Sequence, residues 1–264
     1  MASAAEQATS RERAAANLRD ARVRRAAIAP FTDESGELNE AWGYDVQALD
    51  LQQRLSSGEQ TVGLKLGLTS EAKQRRMGID RPIVGFLTAP MLLSADSVAG
   101  HLAEWIQPRI EPEIAFTTSR PIAEALDLAG AIQVVASVGV AAEIIDSRFV
   151  GYRFRLPDVV ADNTSAAGLL IGPMLPLDDP HALPTAACTV HVDGELVHQA
   201  TGAAILGHPL EAVVRLSHHL ARRGEVLPAG SVVLAGALTD AVPLQVGSKY
   251  DLEIEGLGRI EVRV

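Results

Sequence analysis

Up to about residue 60 the polar and apolar positions follow a helical period. Residues 1–29 form an Ala- and Arg-rich run that predicts a helix ended by Pro30. Residues 31–38 predict a polar loop. Asn39 is placed to cap a second helix to about Ser57, with Trp42, Val46 and Leu49 on one stripe and Gly58 closing it. At Thr61 the period changes to two. Leu64, Leu66 and Leu68 then share one strand face, and Lys65 takes the other together with Gly63 and Gly67, a sign of close approach by a ligand or another backbone.

Further along, Thr69-Ser70-Glu71 predicts a short helix to Met77, and Ile83–Leu87 an apolar run after a turn. A strand is expected near Asp96–Val98, a helix over Glu124–Val138 and a buried strand over Val140–Asp146. Asp158–Ser165 predicts a polar loop before a strand at Ala166–Ile171. Asp193-Gly194 predicts the tight turn of a hairpin between Thr189–Val192 and Glu195–Gln199. A helix is expected from Gly207-His208-Pro209 to about Arg223, stopped by Gly224, with His208 a helix-start residue. Alternating segments at 232–234, 242–246, 250–255 and 259–264, separated by Gly and Pro turns, predict a β-rich C-terminal half closed as a roll or barrel. The class is therefore α+β, and no internal repeat is visible.

Three features of this pattern carry chemistry. In Gln107–Phe116, alternation places Arg109, Glu111 and Glu113 on one face and Ile110, Ile114 and Phe116 on the other. Two carboxylates about 7 Å apart along one strand repel each other. They are either a solvated outer face of an edge strand or ligands for a hard divalent cation. Glu143 lies among Ala141, Ala142, Ile144 and Ile145, where an unpaired carboxylate is expensive; it calls for a cation or a strong hydrogen-bond partner. Lys65 is either a surface lysine or a charge held in a site. Asn163, Thr164 and Ser165 are either turn formers or donors to a bound carboxylate. Asp146 and Arg148 are close enough in sequence to pair.

Composition narrows the classes. The 264 residues suffice for one large domain or a domain with an appendage, and 47% apolar content supplies a core. A formal net charge of −10 argues against a nucleic-acid partner. No apolar run reaches membrane-spanning length, and no apolar signal core follows Met1. A single cysteine, Cys188, agrees with a reducing cytoplasm.

Six blocks in order then resemble a known family. They are Gly63–Ser70 (GLKLGLTS), Met77-Gly78, Pro108–Ala115 (PRIEPEIA), Glu143–Arg148 (EIIDSR), Val160–Ser165 (VADNTS) and Leu206–Leu210 (LGHPL). The resemblance is to the 2-keto-4-pentenoate hydratase and 4-oxalocrotonate decarboxylase group of the fumarylacetoacetate hydrolase superfamily, and it runs from about residue 60 to the end. It implies an N-terminal helical cap over residues 1–60 and a catalytic domain over 61–264 with a mixed β-roll or barrel core. It also implies a Mg²⁺ or Mn²⁺ site made by Glu111, Glu113 and Glu143.

Members similar to hydratases carry Asp in an Asp-x-Pro-Asp-x-Gly pattern where this chain has Ile83, in Asp80-Arg81-Pro82-Ile83-Val84-Gly85. The decarboxylase branch resembles this chain in having Ile there, and in the run through Lys73. The expected activity is therefore decarboxylation of 4-oxalocrotonate (2-oxohex-3-enedioate). Lys65 and Ser165 are the expected catalytic residues, and Thr69, Ile83, Asn163 and Arg148 the expected substrate-binding residues. Alternatives are a 2-oxopent-4-enoate hydratase, an acylpyruvate hydrolase and a non-catalytic partner subunit. A homo-oligomer, and a complex with the cognate hydratase, are expected partners.

Overall fold

The computed structural model describes residues 4–264. The first helix, α1, spans Ala4–Arg24, and residues 1–3 of its expected range lie outside the described residues. Phe31–Glu34 forms a helical turn, α2, where a loop was expected. It is fixed by Asp158, whose carboxylate accepts the Thr32 N–H (3.1 Å) and the Thr32 hydroxyl (2.5 Å). α3 spans Glu40–Ser56, and Asn39 caps it by accepting the Trp42 N–H at 2.9 Å. Ala14, Ala15, Leu18, Trp42 and Val46 of these helices pack against Phe149 and Ala161.

β1 (Thr61–Gly67), α4 (Glu71–Met77) and β2 (Ile83–Thr88) follow, with Ser70 capping α4. The segment expected as a strand near residue 96 is instead a 3₁₀ turn, Ala95–Ser97, leading into a helical turn, α5 (Val98–His101). Ser94 and Ser97 satisfy each other's backbone there, which starts a helix and not a strand. β3 spans Arg109–Thr118. The expected helix over 124–138 shrinks to α6 (Leu128–Val134), capped by Asp127, and β4 (Val135–Ile145) begins five residues before its expected start among β-branched valines. α7 (Leu156–Ala161) replaces the first half of the expected 158–165 loop.

β5 (Ala166–Ile171) and β6 (Leu175–Pro176) come next, followed by the hairpin β7 (Ala187–Val192) and β8 (Glu195–Thr201). Its turn has positive φ at both Asp193 and Gly194, as the Asp-Gly pair predicts. α8 (Glu211–Arg223) starts after Pro209 and ends at Gly224 in the left-handed conformation. β9 (Val232–Ala237), β10 (Val242–Pro243), β11 (Lys249–Ile254) and β12 (Gly258–Arg263) complete the chain.

The main sheet has eight strands in the order β2-β1-β9-β3-β4-β5, with β10 on β3 and β6 on β4; a second sheet runs β12-β11-β7-β8. The pairings of the main sheet are antiparallel except β1 with β9. The two strands bearing the chemistry are therefore interior. β1 lies between β2 and β9, and β3 between β9 and β4. Gly63 explains the close packing of β1 on β9, since a Cβ there would lie 1.9 Å from the Val232 carbonyl oxygen. The core, with Ile110, Ile114, Phe116, Val140 and Ile144, fills the face opposite the carboxylates.

Candidate active site and metal centre

Register assembles the acidic cluster. Glu111 lies directly opposite Glu143 across β3–β4, and Glu113 is two residues along the same face. One oxygen from each of the three falls within 4.8 Å of the others. The solvated-edge reading does not hold: Glu113 and Glu143 are 0% exposed and Glu111 8%. Glu113 accepts the Gly236 N–H at 2.8 Å, a backbone donor from β9 that sequence gives no means of finding. Gly236 has φ 103° and its Cα lies against Thr69, so a side chain would collide there.

Lys65 is 3% exposed on β1. Its Nζ lies 2.8 Å from Glu143 Oε2 and donates to the Thr164 carbonyl at 3.2 Å. The contact with Glu143 is an ion pair by distance but is not aligned as a hydrogen bond. Burial alone would favour the neutral amine. The charges of Glu143, Glu113 and Glu111 outweigh it and hold the lysine's pKa above its ordinary value. In Glu113, burial and the neighbouring Glu143 push the carboxyl well above the usual range against the pull of Lys65. In Glu143, burial raises the pKa and Lys65 opposes it.

One ammonium thus faces three carboxylates. Glu113 Oε1 and Glu143 Oε1 are buried without any hydrogen-bond partner. Orphaned carboxylate oxygens converging on one point are costly unless a cation occupies it. An all-oxygen donor set suits a hard divalent ion such as Mg²⁺ or Mn²⁺. The residues fit such an ion.

Glu111 and Glu113 of this cluster line a cavity of about 650 Å³. Lys65, Thr69, Ile83, Thr164 and Ser165 line it, and Leu66, Met77, Phe154 and Val159 add apolar wall. Ile83 is 1% exposed. The Tyr44 hydroxyl accepts the N–H of the next residue, Val84, at 3.0 Å, and Gln47 donates to the Val84 carbonyl at 3.1 Å, so α3 holds this wall.

Asn163, Thr164 and Ser165 have φ of 48°, 52° and 63°, three successive non-glycine residues in the left-handed region. This turn presents the Thr164 carbonyl to Lys65 and leaves the Thr164 and Ser165 hydroxyls buried without partners.

Two expected substrate ligands are engaged elsewhere. The Asn163 side chain accepts the Phe86 N–H (2.8 Å) and donates to the Phe86 carbonyl (3.0 Å), stapling the turn to β2. Arg148 is 3% exposed. Its guanidinium donates to the Asp162 carboxylate and carbonyl and to the Asp146 carbonyl. It does not pair with the Asp146 carboxylate, which accepts the backbone N–H groups of Ile106 and Gln107. Neither side chain reaches the cavity, because a strained turn between interior strands needs internal partners. His101 pairs with Glu104 at 2.9 Å and does not line the cavity, so it is not placed as the base of an acylpyruvate hydrolase.

The cavity also contains groups that sequence reasoning passed over. Arg109, Tyr152 and Lys73 line it. Alternation along β3 had already placed Arg109 on the carboxylate face. Tyr152 is 43 residues away in sequence and carries no such signal.

The pattern of the FAA hydrolase C-terminal family matches residues 61–264. The chain belongs to the fumarylacetoacetate hydrolase family. Among relatives within this family, it is 37% identical over 250 residues to a 2-keto-4-pentenoate hydratase of Paraburkholderia phymatum, covering 94% of this chain and 95% of that one. It is 38% identical over 217 residues to a 4-oxalocrotonate decarboxylase of Pseudomonas sp., covering 82% and 83%. Among solved structures it is similar to the 4-oxalocrotonate decarboxylase of Pseudomonas putida G7 complexed with magnesium and adipate. There the TM-score is 0.88 and the identity 34%, over 96% of this chain and 97% of that one. No described helix is long and apolar enough to cross a membrane.

Proposed function

We propose that this chain converts 4-oxalocrotonate to 2-oxopent-4-enoate, or its 2-hydroxypenta-2,4-dienoate tautomer, with release of CO₂. The observation that carries this reading is Ile83. A buried aliphatic wall stands in the cavity where hydratase-like members place a carboxylate. Hydration needs a group that handles water and a proton at the far end of the substrate. Decarboxylation needs a leaving carboxylate that is poorly solvated and not repelled, and an aliphatic wall supplies that setting.

Glu111, Glu113 and Glu143 would hold the divalent ion, which when bound supplies Lewis-acid polarisation and a template for the α-keto acid end. Lys65 stands beside that end as a fixed positive charge. Cleavage of the C5–C6 bond leaves its electron pair at C5, conjugation carries it to the 2-oxo oxygen, and the Lys65 ammonium stabilises charge developing there. The unpartnered Ser165 hydroxyl is the donor for the C1 carboxylate or for a proton relay, and Thr69, which lines the same cavity, is a second donor. A homo-oligomer and a complex with the hydratase that takes up the product extend the same reading; sedimentation of the chain alone and with that hydratase tests both.

The deciding experiment incubates Mg²⁺-loaded protein with 4-oxalocrotonate and, separately, with 2-hydroxypenta-2,4-dienoate. CO₂ release from the first is the expected result. Formation of 4-hydroxy-2-oxopentanoate from the second, without CO₂ from the first, replaces the reading by the hydratase.

A further inference from the structure

We infer that Arg109 takes the far carboxylate of the substrate and so sets the preference for a dicarboxylate. The inference rests on the 2-oxo-3-enedioate reading above. Arg109 is half-buried, lines the cavity and shares the β3 face of Glu111 and Glu113. It lies two residues from Glu111, about 7 Å along the strand. That spacing is comparable to the carboxylate separation of an extended six-carbon diacid. A substrate gripped at its α-keto end by the acidic cluster and laid along β3 brings its other end to this guanidinium.

The guanidinium is also held ready. It stacks over the Tyr152 ring at 4.2 Å from the centroid. Tyr152 itself has φ 57°, a left-handed conformation uncommon for a bulky residue. Its hydroxyl donates to the Ile145 carbonyl at 2.9 Å, so the ring is fixed at both ends. Among the described residues no carboxylate lies within ion-pair distance of Arg109.

The other cations of the cavity are engaged. Arg153 pairs with Asp33 at 2.8 Å, and Lys73 lies 3.9 Å from Glu111 and 4.0 Å from Asp240. A positioned, unpaired guanidinium on a cavity wall is a carboxylate receptor by its donor geometry. Because the carboxylate's charge disperses as CO₂ forms, this grip holds the ground state more than the transition state, so its loss raises KM without lowering kcat.

The test titrates Mg²⁺-loaded wild type, Arg109→Met and Arg109→Lys calorimetrically with adipate, hexanoate and oxalate, beside steady-state kinetics on 4-oxalocrotonate. Wild type is expected to prefer adipate to hexanoate. Arg109→Met, which keeps an apolar stem on Tyr152, should bind adipate roughly 10- to 100-fold more weakly, the size of a charge-assisted hydrogen bond. Oxalate affinity should hold, KM should rise by the same factor, and kcat should not fall. Arg109→Lys should retain part of the preference.

Adipate binding unchanged in Arg109→Met overturns the inference, as does an equal loss of oxalate. Wild type that binds oxalate without preferring adipate to hexanoate overturns it with no variant needed. Wild type that binds none of the three overturns the parent reading as well.

Discussion

Glu143 shows at the level of one side chain why burial and charge together imply a ligand. It is 0% exposed, directly opposite Glu111, and it shares the Lys65 ammonium with Glu113. Glu143→Gln removes a ligand and a buried charge at once. The variant should fold, with a metal-free Tm equal to or above that of wild type. Its Mg²⁺-induced rise in Tm and its metal-dependent turnover should be lost. Thermal scans with and without Mg²⁺ check this, and undiminished turnover would remove the metal assignment. Ile83→Asp tests the opposite wall. A carboxylate beside the leaving group should lower kcat/KM for CO₂ release by roughly tenfold or more, from like-charge repulsion in a partly dry cavity. An unaffected rate would tell against the role given to the apolar wall.

At the scale of elements, the turn at 162–165 is the piece on which the lysine depends. Gly85 faces Lys65 across β1–β2, and the turn packs on the space where its side chain would be. A Cβ at Gly85 would meet Thr164 Oγ1 at 2.5 Å and Asn163 Oδ1 at 3.0 Å. Gly85→Ala should therefore lift the turn, draw the Thr164 carbonyl from Lys65 and cost about 1–3 kcal/mol of stability as an overpacking change. Urea denaturation measures the stability, and kcat should fall with it.

This turn also marks where sequence reading stops. The strands bearing Lys65, Glu111, Glu113 and Glu143 were legible because alternation and anomalous burial are local signals. The Asn39 cap, the Asp193-Gly194 turn and the Gly224 stop were legible for the same reason. The Asn163 staple to Phe86 and the Arg148–Asp162 pair were not, since their partners lie 77 and 14 residues away. Side chains that look like ligand donors in sequence are here spent on holding a strained backbone. The 124–138 segment failed differently: its apolar run fits either period, and pairing with β3 decided for strand from Val135.

On the whole molecule, α8 and α3 meet through His219, whose ring packs 5.0 Å from that of Tyr44 while Arg223 stacks on the same tyrosine. Burial, then Arg223, Arg222 and Arg81, push the His219 pKa down to about 4 from 6.5. Above pH 6.5 the ring is neutral in folded and unfolded chains alike. As pH falls from 6.5 towards 4 the unfolded chain takes up a proton that the folded chain refuses, so stability is lost across that window. His219→Gln should flatten this part of the stability-versus-pH curve, measured by denaturation at stepped pH. An unchanged slope would show the ring is not held neutral.

The lone parallel pairing of the main sheet, β1 on β9, has a consequence for biosynthesis. By the time Glu143 leaves the ribosome, the lysine and all three acidic side chains have been made, but the strand that must wedge between β1 and β3 has not. That strand, with its Gly236 amide, is still some ninety residues from being translated. Until it arrives the nascent polypeptide holds a half-built anionic nest with an open seam, and closure must bridge a loop of about 170 residues. A closure that distant is expected to slow folding, and the Gly236 N–H that steadies Glu113 arrives only with it.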